Sequence, residues 1–265
     1  MQLAGWDYVG RNIDESLHTQ FRMIVECLSD ASFVKGRVWS SRDLQEDLAQ
    51  KLGNSDGQIR TLKRVFEDLG LVKKGSLNRT NVLERSKFMS SIGEKVYYAS
   101  CLEKELNKIP DKNKKESARN HIKGLYEEGY CIAMANYFYE SPDKCMRLHP
   151  LRATLKALQK YGSMDKWEWY LLNTDIREDD NTNQENLLNQ HIKEYRNGVL
   201  TFSMKDVIRK PKGHQYLPQF LQFAGLVNLQ NGRYWRISDN GRRADFKSMI
   251  LSPTFLTDLY KGENA

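Results

Sequence analysis

One short pattern occurs twice in this 265-residue chain and constrains its fold more than any other feature. Residues 66–72 read FEDLGLV and residues 221–227 read LQFAGLV, so each copy places Gly-Leu-Val after a stretch with helical apolar spacing. Glycine readily adopts the left-handed conformation that ends a helix, and the following Leu-Val favours a strand. The copies lie much further apart than the roughly 20 to 50 residues of a solenoid repeat. The pattern therefore predicts two similar units, each with a helix that ends at glycine and leads into a strand.

The residues around the first copy predict a winged helix. Apolar residues recur there at helical spacing, and Ser or Asp residues precede the helical stretches as N-caps. The predicted elements are helices over 17–28, 44–52 and 56–70, a two-stranded basic hairpin over 73–87, and a helix that opens near Ser91. Three helices followed by a hairpin are the order of elements in a winged helix, a form of helix-turn-helix that inserts one helix into the major groove.

The second copy has a comparable context. Its Asn231-Gly232 dipeptide is typical of a hairpin turn between two strands. The predicted elements are helices over 151–162, 163–171, 187–198, 204–209 and 214–223, then a hairpin around residues 230–232 with a strand over 234–237. This order again ends with a helix and a hairpin, as in the first unit.

The predicted fold class is therefore mainly α with small β-hairpin wings, as two winged-helix modules joined by a helical linker. We place the first module at residues 1–100, the linker at 101–147 and the second module at 148–265. Within the linker, a charge run over 112–119 feeds a long helix that continues to Tyr137. We interpret its charged face as solvated rather than as a separate binding site.

The composition fits a soluble globular protein. Hydrophobic residues make up 40% of the chain and aromatic residues 11%, which is too apolar for a disordered chain. The first twenty residues include charged side chains, which a secretory signal would not have in its apolar core. No run approaches the roughly 18 apolar residues of a membrane span. The four cysteines are widely spaced and indicate free thiols rather than a zinc site or disulfides. A cytoplasmic location without membrane contact is expected.

The positive charge is unevenly distributed. The chain carries a net charge of +7. Residues 57–95 contain nine bases and four acids, and residues 204–247 contain nine bases and three acids, so the remaining residues are net negative. Basic segments that coincide with predicted recognition helices and wings indicate a polyanionic partner, and duplex DNA is the expected one.

The candidate DNA-binding residues lie on the two predicted recognition helices and their wings. Arginine can donate twice to guanine, and glutamine can pair with adenine. The set comprises Gln58, Arg60, Thr61, Arg64, Lys73, Lys74, Arg79, Lys210, Lys212, His214, Gln215, Gln219, Arg233 and Arg236. Residues 213–232 contain no charged residue, so the second helix either reads bases through amides or packs in the core; both interpretations stay open.

The sequence predicts no catalytic and no metal-binding residue. A metal-dependent nuclease core needs an acid on one strand and an acid-x-Lys on the next, and the chain has only Asp245-Phe246-Lys247, beyond the second wing. The acids Asp175, Glu178, Asp179 and Asp180 could hold magnesium, but we interpret them as a solvated loop. No phosphate-binding glycine loop or nucleophile motif is present, so no cofactor is expected for this chain.

Several segments, in order and spacing, resemble the DNA-recognition region of the AlwI family of type IIS restriction and nicking endonucleases. The resemblance covers most of residues 6–245. It is carried by residues 31–36 (ASFVKG), Leu44 to Leu52, Arg60, Leu69 to Val72, 149–151 (HPL), 158–166 (LQKYGSMDK), 171–174 (LLNT), 181–184 (NTNQ) and 195–197 (YRN).

The resemblance implies that the chain is the target-recognition part of a type II, IIS-like, restriction or nicking endonuclease. It would bind double-stranded DNA with a short asymmetric site. The family's cleavage domain is metal-dependent, and we expect no counterpart in this chain, so magnesium and catalysis would belong to a separate nuclease domain or subunit. The chain would then be an excised fragment or a separate specificity subunit.

Two other functions remain open at this point. A tandem winged-helix transcription regulator or a plasmid replication initiator would have similar elements, and such proteins usually bind palindromes or repeats. A protein-interaction module is a third class, for which the two basic segments would have no evident purpose.

Overall fold

A computed structural model describes residues 1–6, 11–78, 84–141, 145–208, 213–230 and 234–237. For residues 213–215, 228–230 and 234–237, it describes the backbone alone. The contacts divide the chain into two compact units. We call Arg11–Ala133 the inserted unit, and Met1–Gly10 with Met134–Ala265 the split unit. The described residues are mainly helical with small antiparallel sheets, which confirms the predicted class at this level.

The inserted unit is built from helices. It contains α1 (Glu15–Leu28), α2 (Ala31–Val34), α3 (Arg42–Leu52), α4 (Asp56–Asp68), α5 (Arg85–Phe88), α6 (Ser91–Glu105) and most of α7 (Lys112–Asn136). Short 3-10 helices cover Ser76–Asn78 and Leu106–Lys108.

The split unit combines helices with two hairpins. It contains β1 (Tyr139–Ser141), β2 (Met146–Leu148), α8 (Pro150–Tyr161), α9 (Lys166–Asp175), α10 (Thr182–Arg196), α11 (Gly213–Phe223), β3 (Val227–Gln230) and β4 (Tyr234–Ile237). β1 pairs with β2 and β3 with β4, both antiparallel.

The core of the inserted unit holds α4 against α1. Phe66 of α4 meets Phe21 of α1 edge to face, with ring centroids 4.8 Å apart, and both rings are buried. Ile59 and Leu62 are buried on the same side of α4. Each buried apolar side chain contributes about 1.5–3 kcal/mol relative to exposure, so this face fixes which side of α4 meets solvent.

The first six residues of the chain pack in the core of the split unit. The Trp6 ring meets Trp169 edge to face at 5.7 Å, and Trp6 Nε1 donates to the carbonyl of Ile176 at 2.8 Å. Leu3 forms a parallel bridge with Val207. These contacts bring together residues that lie far apart in the sequence.

The repeated Gly-Leu-Val segments have the same local structure. Gly70 and Gly225 have φ angles of +67° and +64°. Leu71 N donates to Phe66 O, and Leu226 N donates to Leu221 O, both at 2.8 Å. This is the hydrogen-bond pattern of a helix that ends with a left-handed glycine. The prediction that α4 and α11 end at glycine and lead into extended residues is confirmed.

The predicted first wing is wrong in its details. In the described part of this segment, residues 71–78 and 84–89, one antiparallel bridge joins Val72 to Met89 where a two-stranded hairpin was predicted, and a 3-10 helix and α5 lie between them. Lys73 N donates to Phe88 O at 2.8 Å and completes this narrow base. The β-propensity of the segment is too low for longer strands, because most of it is polar or charged.

Two further predictions are wrong. Residues 204–208 form turns and an isolated bridge rather than the start of a helix over 204–209, since Val207 pairs with Leu3. The predicted helical linker contains the β1–β2 hairpin. The predicted module boundaries at residues 100 and 147 differ from the contact division, but they refer to winged-helix modules and stay predictions.

Candidate nucleic-acid interface

A short turn joins α3 to α4 and sets the direction of α4. Gly53 has a φ angle of +65°, and Asn54 N donates to Ala49 O at 2.8 Å, which ends α3. Ser55 then begins α4 with a capping box: its backbone N donates to Gln58 Oε1 at 2.8 Å. Three residues, Gly53 to Ser55, therefore separate the end of α3 from the start of α4.

The outward face of α4 carries the side chains predicted to bind DNA. Gly57, Arg60, Thr61 and Arg64 are all exposed, and each of the outer two lies three or four residues from Arg60 and Thr61. Residues at this spacing lie on one side of a helix. The predicted candidates Arg60, Thr61 and Arg64 therefore share one solvent-exposed stripe.

The stripe residues differ in what holds them. Arg64 Nε lies 3.7 Å from Asp68 Oδ2, and Thr61 Oγ1 donates to Gly57 O at 3.0 Å. Burial raises the pKa of Asp68 above its ordinary value, and the contact with Arg64 opposes this shift. Within the described ranges, Arg60 has no hydrogen bond or ion pair. Its guanidinium is thus fully available to a ligand.

Gln58 is exposed, but part of its hydrogen-bonding capacity is used by the fold. Its Oε1 accepts the capping hydrogen bond from Ser55 N. An amide that reads adenine needs both its oxygen and its nitrogen. Pairing of Gln58 with adenine would therefore require the α4 cap to open.

Lys73 and Lys74 lie exposed beside the Val72–Met89 bridge. Lys73 Nζ donates to Ser86 O at 2.7 Å, which links the two sides of the wing base. Lys74 makes no hydrogen bond or ion pair with the part of the chain that the structure describes. The ammonium of Lys74 is therefore the less constrained of the two.

Lys63 and Arg85 belong to the same basic segment and were not assigned roles from the sequence. Lys63 Nζ donates to Asn78 Oδ1 at 2.7 Å and lies 3.6 Å from Glu67 Oε1, so it links α4 to the 3-10 helix over Ser76–Asn78. Arg85 is exposed, with its guanidinium 4.8 Å from the centre of the Tyr97 ring. Lys63 is half-buried and held by two side chains, whereas Arg85 is exposed. The amino-acid composition of the segment does not show this difference.

The second predicted recognition helix, α11, has one buried side. Leu217, Phe220 and Leu221 are buried, whereas Gln219 and Gln222 are exposed. The helix thus packs in the core on one face, as one interpretation expected, and presents amides to solvent on the other. Base reading by these amides stays a prediction.

The side chains of the remaining candidates, Arg79 of the first module and six residues of the second, are not described. His214 and Gln215 lie in α11 and Arg236 in β4, where the structure describes only the backbone. The other four lie outside the described residues: Arg79, Lys210, Lys212 and Arg233.

The four acids interpreted as a solvated loop lie at the end of α9 and just after it, and Glu178, Asp179 and Asp180 line one side of a cleft. Three of them have nitrogen partners: Asp175 with His191 at 2.8 Å, Asp179 with His149 at 2.6 Å, and Asp180 with Arg152 at 2.6 Å. Burial raises the pKa of Asp175, and the contact with His191 opposes this shift. The interpretation as a solvated loop is wrong for Asp175 and Asp179, because the side chains of both are mostly buried.

Several residues that carry the family resemblance have structural roles in the split unit. Asp165 begins α9, where its Oδ1 accepts from Trp167 N at 2.8 Å. Asn181 begins α10, where its Oδ1 accepts from Gln184 N at 3.2 Å. These side chains cap helices and are not part of an exposed binding surface.

Neither protein-family models nor curated proteins indicate a function for this chain. No protein-family model matches the sequence, and no curated protein matches it. No helix in the described ranges has both the length and the apolar character needed to cross a bilayer.

Proposed function

We propose that this chain binds a specific double-stranded DNA sequence and that α4 is its base-reading helix. The observation that carries the proposal is the exposed stripe of α4, where Arg60 has no partner among the described residues, together with the exposed Lys74 beside the Val72–Met89 bridge. It combines a side chain suited to guanine with a charge suited to phosphate.

The dimensions of α4 suit the major groove. The groove is about 12 Å wide and admits one α-helix. α4 has 13 residues, and Arg60 lies in its second turn, near the end whose free N–H groups can meet a phosphate. The other face of α4 is buried, so a bound duplex would meet only the polar side.

The biological role that we propose is target recognition in a type II, IIS-like, restriction or nicking system. It is supported by the resemblance to the AlwI family stated above, and by no other comparison. Catalysis and magnesium would then belong to a separate nuclease domain or subunit, and the site would be short and asymmetric. A cytoplasmic location follows from the same role.

Salt-dependent binding tests the DNA proposal directly. A duplex selected from a random pool should bind with a log–log slope of affinity against salt of about −5 to −7, because roughly six to eight phosphates release counterions. Binding measured by fluorescence anisotropy at several salt concentrations gives the slope. A slope shallower than about −2 would contradict DNA binding by these basic segments.

A further inference from the structure

The first three turns of α7 are built differently from the rest of that helix. From Lys112 to His121 no residue is buried, and Ile122 is the first that is. Farther along, Tyr126 and Tyr130 pack into the core of the inserted unit. Tertiary packing supplies most of the stability of helices in proteins, so this exposed part receives little of it.

Four cations share one side of this region. Lys112, Lys115, Arg119 and Lys123 follow one another at spacings of three, four and four residues, which places them on one face. We call this set the α7 cationic face. At about 1.5 Å per residue it extends for roughly 16 Å, enough to pass several phosphates of one DNA strand, which lie about 3.4 Å apart along the axis.

The local charge is strongly positive. Residues 104–123 contain seven bases and three acids and form a third basic segment besides residues 57–95 and 204–247. Arg119 Nη1 lies 2.6 Å from Glu116, and Lys123 Nζ lies 4.0 Å from Glu127. Lys112 has no ion pair or hydrogen bond within the described ranges.

These internal contacts hold the cations weakly. Exposed ion pairs between residues three or four positions apart contribute little net stability. Lys115 is half-buried and donates to Asn107 Oδ1 at 3.1 Å, so it is the most constrained of the four. A phosphate could replace the carboxylate contacts of Arg119 and Lys123 at little cost.

The face lies at one end of α6, and the C-terminal end of α4 lies at the other. Tyr126 of α7 donates to Glu103 near the end of α6 at 2.7 Å, so the earlier turns of α7 continue beyond that end. The Leu71 carbonyl, just after α4, meets the start of α6 at Gly93. α6 has 15 residues and is about 21 Å long. A separation of that size corresponds to about six base pairs at roughly 3.4 Å each.

We propose that the α7 cationic face binds the phosphate backbone of duplex DNA outside the base pairs read by α4. This inference rests on the proposed function. It replaces the sequence interpretation of this face as merely solvated. Because phosphates carry no sequence information, the contact should add affinity on any flanking sequence.

A charge-neutralised variant of the full chain tests the inference. Lys112→Gln, Arg119→Gln and Lys123→Gln are combined, because glutamine keeps helix propensity and removes charge. Lys35→Gln, Lys51→Gln and Lys193→Gln form the matched control, since these lysines are also exposed and lie elsewhere. Binding is measured on a short duplex that holds only the selected site, and on the same site extended by about ten base pairs (roughly 34 Å) at each end.

We expect the wild-type chain and the control to bind the extended duplex at least about tenfold more tightly, and the α7 variant to lose that gain. Its salt slope on the extended duplex should fall by about two to three units, near 0.9 per lost phosphate contact. If the α7 variant and the control bind both duplexes with equal affinity, this inference is overturned but the proposed function is not. Failure of the wild-type chain to bind either duplex would overturn the proposed function as well.

Discussion

Arg60 and Arg64 lie one turn apart on the same face of α4 but differ in their contacts with the described residues. Arg64 is paired with Asp68, whereas Arg60 has no ion pair or hydrogen bond within the described residues. A free guanidinium can approach guanine without first breaking an internal contact. The two arginines, equal in the sequence pattern, are therefore unequal in the fold.

Substitution of Arg60 by alanine should separate base reading from phosphate binding. We expect Arg60→Ala to cost about 1–3 kcal/mol on the selected duplex and little on random DNA, because a bidentate pair with guanine is lost. Titrations of both duplexes at matched salt give the two values. Arg42→Ala on α3 is the control, since Arg42 is exposed and paired with Glu46. Equal weakening of both duplexes by Arg60→Ala would mean that another element reads the bases.

Glu103 should make the stability of the protein depend on acid pH. Burial alone would raise its pKa, but the contacts with His18 and Tyr126 outweigh burial and hold the pKa below its ordinary value. A lowered pKa in the folded state stabilises the fold above the unfolded-state pKa, near 4.3, and this contribution is lost as the pH falls through the folded-state pKa.

The variant Glu103→Gln should reveal this contribution. Its deficit in the free energy of unfolding, relative to wild type, should shrink as the pH is lowered from about 6 to about 3. Urea unfolding at several pH values measures it, with Glu116→Gln on an exposed turn of α7 as the charge control. A deficit that stays constant over this pH range would contradict a lowered pKa of Glu103 in the folded protein.

Among the elements, helices and their ends were the most predictable. The ends of α3 and α4 at Gly53 and Gly70 depend on neighbouring residues only, so the sequence contains the whole signal. The β1–β2 hairpin was missed because its strands have three residues each, too few to show alternation. The bridge at the predicted first wing pairs Val72 with Met89, which lie far apart in the sequence, and no local pattern shows how far such pairing extends.

The candidate site was predictable in residue type and position but not in partners. The helical spacing placed Arg60 and Arg64 on one face, and the structure agrees. The use of Gln58 in a cap and of Lys73 in the wing base follows from hydrogen bonds formed only in the fold. Which of these side chains already form a hydrogen bond within the fold is therefore shown by the structure and not by the sequence.

Gly93 marks a close approach between two elements, and its substitution should be costly. A Cβ at this position would lie 2.0 Å from the carbonyl oxygen of Leu71. Gly93→Ala should lower the free energy of unfolding by about 1–3 kcal/mol, because backbone must move to make room. The control is Gly124→Ala in α7, where nothing lies within 4 Å of the added methyl.

The control should behave in the opposite way. Alanine is favoured over glycine inside a helix, so Gly124→Ala should stabilise the protein by about 0.5–1 kcal/mol. Thermal or urea unfolding of both variants measures the pair of effects. A neutral Gly93→Ala would mean that α6 can shift away from Leu71 without loss.

At the scale of the whole molecule, the number of chains on the DNA separates the proposed role from its main alternative. One chain should bind one short asymmetric duplex, since a single chain provides both α4 and α11. Sedimentation or mass photometry of the complex gives the stoichiometry. Two chains on a palindromic selected site would favour a transcription regulator or replication initiator instead.

The division of the chain also sets an order of events during synthesis. All residues of the inserted unit have left the ribosome once Ala133 has emerged, so its contacts can form early. Trp6 must wait for Trp169 and Ile176, and Leu3 must wait for Val207. At 5–20 residues per second, this delay is on the order of ten seconds or more. During that time, the apolar side chains of Leu3 and Trp6 lack the partners that bury them, and transiently exposed apolar segments are what chaperones bind in general.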